Sequence, residues 1–205
     1  MPRVCGCLTL KLSVGDMKII LCSQSPRRRQ LLAGLDLDFE VRTSGGLEES
    51  RPEGLSPEET AMAIAEGKAL AFTPLNDDEV ILTADTIVAC MGEILGKPST
   101  AEEACAMLRK LSGKTHQVVT GVTLKSTTRQ RTFNVSTSVT FKRLSEEEIN
   151  YYVSHYKPFD KAGAYGIQEW IGFIAVKRLE GSYFNVMGLP VQRIYEELCD
   201  HFMGR

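Results

Sequence analysis

KIILCSQSPRRRQLLAG, residues 18–34, contains the change of rhythm on which the fold turns. Lys18–Cys22 is a short apolar run of the kind that forms a buried strand. Ser23-Gln24-Ser25 is turn chemistry. Pro26 suits the first position of a helix, where its missing N–H costs no intrahelical bond. Arg27–Ala33 then reads as helix and stops at Gly34. A strand feeding a helix through a tight polar turn is the unit of α/β architecture.

The same alternation continues outward. Phe39–Thr43 reads as a second strand. Ser56-Pro57-Glu58-Glu59 opens a helix with a capping box and runs to about Phe72, placing Ala61, Ile64, Ala65 and Lys68 at helical spacing. Val80–Ala89 is strongly β, and Gly92 turns it toward Ile94-Leu95. Thr100–Leu111 reads as helix, Gln117–Leu124 and Thr132–Phe141 as paired strands, and Ser145–Tyr152 as a capped helix. Phe173–Leu179 reads as a strand and Pro190–Phe202 as the closing helix. Interleaved elements predict an α/β fold with a mixed sheet, and the long central strand pair suggests a second lobe with a cleft between.

Composition bounds the function. The chain has 205 residues, 43% of them hydrophobic and 24% charged. That length buries roughly 70% of the unfolded surface without a disulfide or metal staple. A net charge of −2 argues against a broad grip on nucleic acid or an anionic membrane, while leaving room for a small cationic pocket. No apolar run approaches the roughly 20 residues of a membrane span. Cys22, Cys90, Cys105 and Cys199 sit singly in apolar stretches, with no CxxC pair, which argues against zinc and for a reducing compartment. Residues 1–16 read as an N-terminal extension rather than a signal peptide, because Gly6 and polar residues break their apolar run.

Several residues stand out chemically. Ser23, Arg27 and Arg28 lie at a strand-to-helix turn, where free N–H groups and guanidinium side chains make an anion site; a solvated basic helix start is the plainer alternative. Asp85, inside LTADTIV (82–88), is costly to bury alone and so needs a partner, a metal, a proton or a cleft. Lys68 occupies a helix face where an apolar residue is expected, and its ordinary role there would be to snorkel. Lys97 sits in a constrained Gly-Lys-Pro loop. Glu48-Glu49 suits a hard divalent cation and equally a solvated loop. SGKT (112–115) is not a phosphate-binding loop, since Leu108 stands where that motif needs glycine. His116 beside an apolar strand reads as structural.

Seven blocks together carry a resemblance: LCSQSPRR (21–28), EETAMAIAEGKA (58–69), ADTIV (84–88), GEILGKP (92–98), LRKLSGKTHQVVTGV (108–122), DKAGAYGIQ (160–168) and GSYFNVMGLP (181–190). In this order they resemble the Maf nucleotide pyrophosphatases, from about Met17 to the C-terminus. The resemblance implies one two-lobed domain over residues 17–205, related to inosine triphosphate pyrophosphatases, with the active site in the central cleft. It implies cytoplasmic hydrolysis of a nucleoside triphosphate to the monophosphate and pyrophosphate with Mg²⁺ or Mn²⁺. A homodimer is common in folds of this kind. By resemblance Asp85 is the proton acceptor, and Glu49 the acidic residue near the metal. Ser23, Arg27, Arg28, Lys68 and Lys97 surround the triphosphate. Arg27, Thr86 and Gln168 match positions tied to base choice, and their identities here favour dTTP and UTP, including modified pyrimidines. Departures are Cys22 for a usual Ala, and Glu169-Trp170 where many relatives carry Gly. Two alternatives stay open: a 7-methyl-GTP or non-canonical purine triphosphate pyrophosphatase, and a non-catalytic nucleotide-binding regulator of cell division.

Overall fold

The computed structural model describes residues 17–43, 54–72 and 75–202. The first two elements match the sequence reading. Strand β1 (Lys18–Cys22) leads into helix α1 (Pro26–Ala33), where the Ser25 hydroxyl accepts from the Arg28 N–H and caps the helix. Then follow β2 (Phe39–Arg42), α2 (Pro57–Leu70, with the Ser56/Glu59 capping box), β3 (Glu79–Cys90) and β4 (Glu93–Leu95). The central part contributes α3 (Ala101–Leu111), β5 (Thr115–Lys125), β6 (Gln130–Phe141) and α4 (Glu146–Tyr156). A single 3₁₀ turn (Ala162–Ala164) precedes α5 (Trp170–Ala175), β7 (Val176–Glu180), α6 (Tyr183–Met187) and α7 (Val191–His201).

One expectation is corrected. The strand read over Phe173–Leu179 begins only at Val176, because residues 170–175 form α5. A short apolar run of this length fits a buried helical turn as well as a strand. Gly172 permits the helix: a Cβ there would overlap the Ile167 carbonyl.

Seven strands form one mixed sheet in the order β2-β1-β3-β5-β6-β7, with β4 also paired to β3. β1 runs parallel to β2 and β3, while the β3–β5 and β5–β6 pairs are antiparallel. Strand β3 organises the rest. Along one edge it pairs with β5 from Ile81 to Ala89. Its other edge is shared: β1 takes Glu79–Leu82 and β4 takes Val88–Cys90. Between them, Thr83–Ile87 have no strand partner on that side among the described residues.

Side chains alternate across β3. On one face, Val80, Leu82 and Ala84 join a core with Leu31 and Leu32 of α1 and Ile194 and Leu198 of α7. Val88 and Cys90 join a second core with Leu108 of α3, Tyr152 of α4 and Ile171 of α5. Thr86 stands between the two, so two cores share one strand. The opposite face carries α2, whose Ala61 packs on Ile87 and Val119. Gly121 allows the close approach, since a Cβ there would overlap the Ala61 carbonyl. No described helix is long and apolar enough to cross a membrane.

Candidate active site

The interruption in the β3 edge opens into a cleft of about 430 Å³. It lies at the carboxyl end of β1, where open α/β sheets place their ligands. Ser23, Arg27, Arg28, Lys68, Asp85, Thr86, Lys97 and Gln168 all line it. The structure thus gathers every candidate named above except Glu48 and Glu49, which fall outside the described residues, as does the 1–16 extension.

Asp85 is 7% exposed, and Lys68 resolves the problem of its burial. Gly121 is the strand neighbour of Asp85, so the helix that Gly121 admits passes directly over the carboxylate. One turn after Ala65, whose carbonyl accepts from the Thr83 hydroxyl at 2.6 Å, Lys68 places Nζ 2.8 Å from Asp85 Oδ1. Lys68 is therefore no snorkelling residue. Among the described residues no protein donor reaches Asp85 Oδ2, which leaves that oxygen for a water or a cation.

Thr86 points to the other face. Its Oγ1 accepts from Arg28 Nη2 at 3.1 Å and lies 3.0 Å from the Thr120 hydroxyl. Arg28 Nε donates to the Gly188 carbonyl at 2.8 Å. Gly188 caps α6 with φ 116°, a conformation suited to glycine. The plainer alternative, a solvated basic helix start, does not hold for Arg28, whose guanidinium is gripped at two points.

The opposite wall contains residues that the motif reading did not single out. Asp160 accepts from Arg27 Nη1 and from Lys161 Nζ, each at 2.7 Å, and Lys161 also pairs with Glu169 Oε1 at 3.0 Å. Burial would raise the Asp160 carboxyl, but the two cations outweigh it and hold it at about 2. Glu169 in turn accepts from the Tyr152 hydroxyl, which accepts from the Gly166 N–H. Gln168 leaves its Oε1 buried without a hydrogen-bond partner among the described residues. Cys22 also lines the cleft, but burial pushes its thiol up to about 12 against the field of Arg42, so it is not a thiolate nucleophile near neutral pH.

His116 takes the structural role expected of it. It is buried, its Nε2 lies 2.8 Å from the Tyr165 hydroxyl, and its ring packs edge-on against Phe141. Among the described residues no three His, Cys, Asp or Glu side chains cluster as a ready metal cage.

Comparison with known proteins identifies the family. The Maf-like protein family model matches residues 18–201. A dTTP/UTP pyrophosphatase of Phocaeicola vulgatus is 58% identical over 182 residues, 88% of this chain and 94% of that protein. One of Flavobacterium johnsoniae is 50% identical over 190 residues, 92% of this chain and 97% of that protein. Among solved structures, the Ham1 protein of Staphylococcus aureus is similar with a TM-score of 0.41 at 17% identity, covering 60% of this chain and 71% of that one.

Proposed function

The chain belongs to the Maf-like protein family, and we propose that it hydrolyses dTTP and UTP to the monophosphate and pyrophosphate. The observation that carries the reading is the Lys68–Asp85 pair, set in a cleft that Arg28, Arg27 and Lys97 also line. A triphosphate carries about four negative charges, so its cleavage needs cations around it.

In this mechanism Asp85 Oδ2 takes a proton from a water placed in line with the α-phosphorus. As the new P–O bond forms, the bond from the α-phosphorus to the bridging oxygen breaks, and Arg28 and Lys97 stabilise the departing pyrophosphate. Ser23 and the start of α1 receive phosphate oxygens. Lys68 fixes the orientation of the base through Oδ1. At the other end, the unpartnered Gln168 Oε1 suits an imide N–H, which uracil and thymine present and cytosine does not.

The donor set fits a divalent cation that arrives with the nucleotide. Mg²⁺ is commonly held by one or two carboxylates plus substrate phosphates; the Asp85 carboxylate would be one for Mg²⁺ or Mn²⁺, and Glu49, by the family resemblance, the second. When bound, the ion supplies charge neutralisation at the phosphate oxygens. The free buried cysteines support work in the reducing cytoplasm, and the net charge of −2 supports a nucleotide, rather than nucleic acid or membrane, as the partner.

A panel of nucleoside triphosphates, assayed for pyrophosphate release with Mg²⁺ or Mn²⁺, tests the proposal. Turnover should be greatest for dTTP and UTP. Purine turnover well above both would overturn the base assignment, and saturable binding without pyrophosphate release would point to a regulator.

A further inference from the structure

Arg28 is fixed by a hydrogen-bonded relay that ends outside the cleft. A guanidinium can only donate, and a backbone carbonyl can only accept. Arg28 Nη2 donates to Thr86 Oγ1 at 3.1 Å, and the Thr120 hydroxyl donates to the Asn185 carbonyl at 3.2 Å. With the Thr120 proton on the Asn185 carbonyl, the link between the two hydroxyls runs from Thr86 to Thr120. The Thr86 proton has two acceptors in reach, Thr120 Oγ1 at 3.0 Å and the Gly188 carbonyl at 3.4 Å, and the shorter route continues the relay. The contacts thus connect Arg28, Thr86, Thr120 and Asn185 in that sequence, whichever hydroxyl donates between the two threonines.

The acceptor end is rigid. Asn185 is fully buried, and its side-chain amide donates to the Val118 carbonyl and to Thr137 Oγ1, both at 3.0 Å. Its carbonyl also accepts from the Gly188 N–H at 2.9 Å, while the Gly188 carbonyl accepts from Arg28 Nε. The relay thus closes a ring: two routes from one guanidinium end on the same short segment, α6 and its cap. Thr120 has no exposed surface and no place among the cleft-lining residues.

We propose that Thr120 is a positioning residue for the hydrolysis, acting through Thr86 to hold the Arg28 guanidinium in its working orientation. The proposal rests on the pyrophosphatase reading for its kinetic consequence. Its structural content stands apart from that reading: without the Thr120 hydroxyl, Arg28 should be less firmly held.

The test compares Thr120→Val, which keeps the branched shape that a strand favours, with Thr120→Ser, which keeps the hydroxyl. Thr120→Val should lower kcat/KM for dTTP by about tenfold, because small displacements of a positioned group are amplified in rate. Thr120→Ser should stay within about twofold of the parent. In an Arg28→Lys background, where the forked grip is already lost, Thr120→Val should cost little further. An equal tenfold cost in both backgrounds, or a serine variant as impaired as the valine one, would overturn the proposal. A second readout needs no turnover. Exchange of the Arg28 Nε–H with water, followed by NMR, should accelerate in Thr120→Val and not in Thr120→Ser, and an unchanged rate would sink the idea. If the parent releases no pyrophosphate from any nucleotide, the functional reading fails, while the exchange measurement still decides the relay.

Discussion

Arg27 at the start of α1 and Asp160 in the loop after α4 form a 2.7 Å ion pair that joins two walls of the cleft. Asp160 is 58% exposed in its side chain, whereas Lys161, which shares the carboxylate, is only 9% exposed. The two partners should therefore differ in their effect on stability. Asp160→Asn removes a solvent-screened charge and should cost at most about 1 kcal/mol. Lys161→Met strips the cation from the largely buried Glu169 and should cost about 2 kcal/mol or more. Urea midpoints measure both, and a larger loss for Asp160→Asn would reverse this ranking.

Asp85→Asn should lower turnover by roughly 10²–10⁴-fold while nucleotide still binds. Near-normal turnover would remove Asp85 from the role of base. Chelating divalent cations should abolish pyrophosphate release in the parent, and added Mg²⁺ or Mn²⁺ should restore it. Rapid release in the presence of chelator would count against the ion.

Gly121→Ala should be among the most damaging single methyl additions. The new Cβ would overlap backbone atoms of Ala61, which cannot move aside as a flexible side chain can. Overpacking of a tight contact costs typically about 1–3 kcal/mol, and rigid backbone places this site at the upper end. Lifting α2 would also draw Lys68 away from Asp85. Thermal unfolding and turnover should therefore fall together; a variant of parental Tm and parental rate would show that the helix can shift at no cost.

Acid should weaken the fold in two stages. Burial lowers His116 from 6.5 to about 4, so between those values the unfolded chain binds a proton that the folded chain does not. Its contribution is full above about pH 6.5 and is lost as the pH falls toward 4, on the order of 3 kcal/mol in all. Glu79, held at about 2 chiefly by its hydrogen bond from Arg42, gives way only below the ordinary carboxylate range near 4.5. In His116→Gln the slope of stability between pH 6.5 and 4 should flatten, as read from denaturant melts at stepped pH. An unaltered slope would assign that window to other groups.

Much of this was legible from local chemistry. The Ser25 and Ser56 caps, the Pro26 start and the apolar β3 run set their elements within a residue or two, because each is decided by neighbours in the chain. The need of Asp85 for company followed from the cost of burying a carboxylate, but its partner was hidden: Lys68 lies 17 positions away, and its helical face suggested only snorkelling. Gly121, a glycine inside a β-branched strand, was the available sign that a backbone passes close by. Asp160 and Lys161 form a plain acid–base neighbour pair in sequence, and only the 133-residue reach to Arg27 distinguishes them from a solvated turn. The α5 misreading has the same origin, since a few apolar residues carry too little periodicity to separate one turn of helix from a strand.

The break along β3 has a consequence for how occupancy would be felt. A sheet normally insulates the layers above and below it, yet Asp85 and Thr86 are chain neighbours that face opposite layers and border the same opening. On the proposed function, a nucleotide seated there would stand where a strand segment would, beside the Lys68–Asp85 pair on the α2 side and Arg28 and Gly188 on the α6 side. Such a ligand would complete the wall between two compartments and, in doing so, would become the tie that makes them answer to one another.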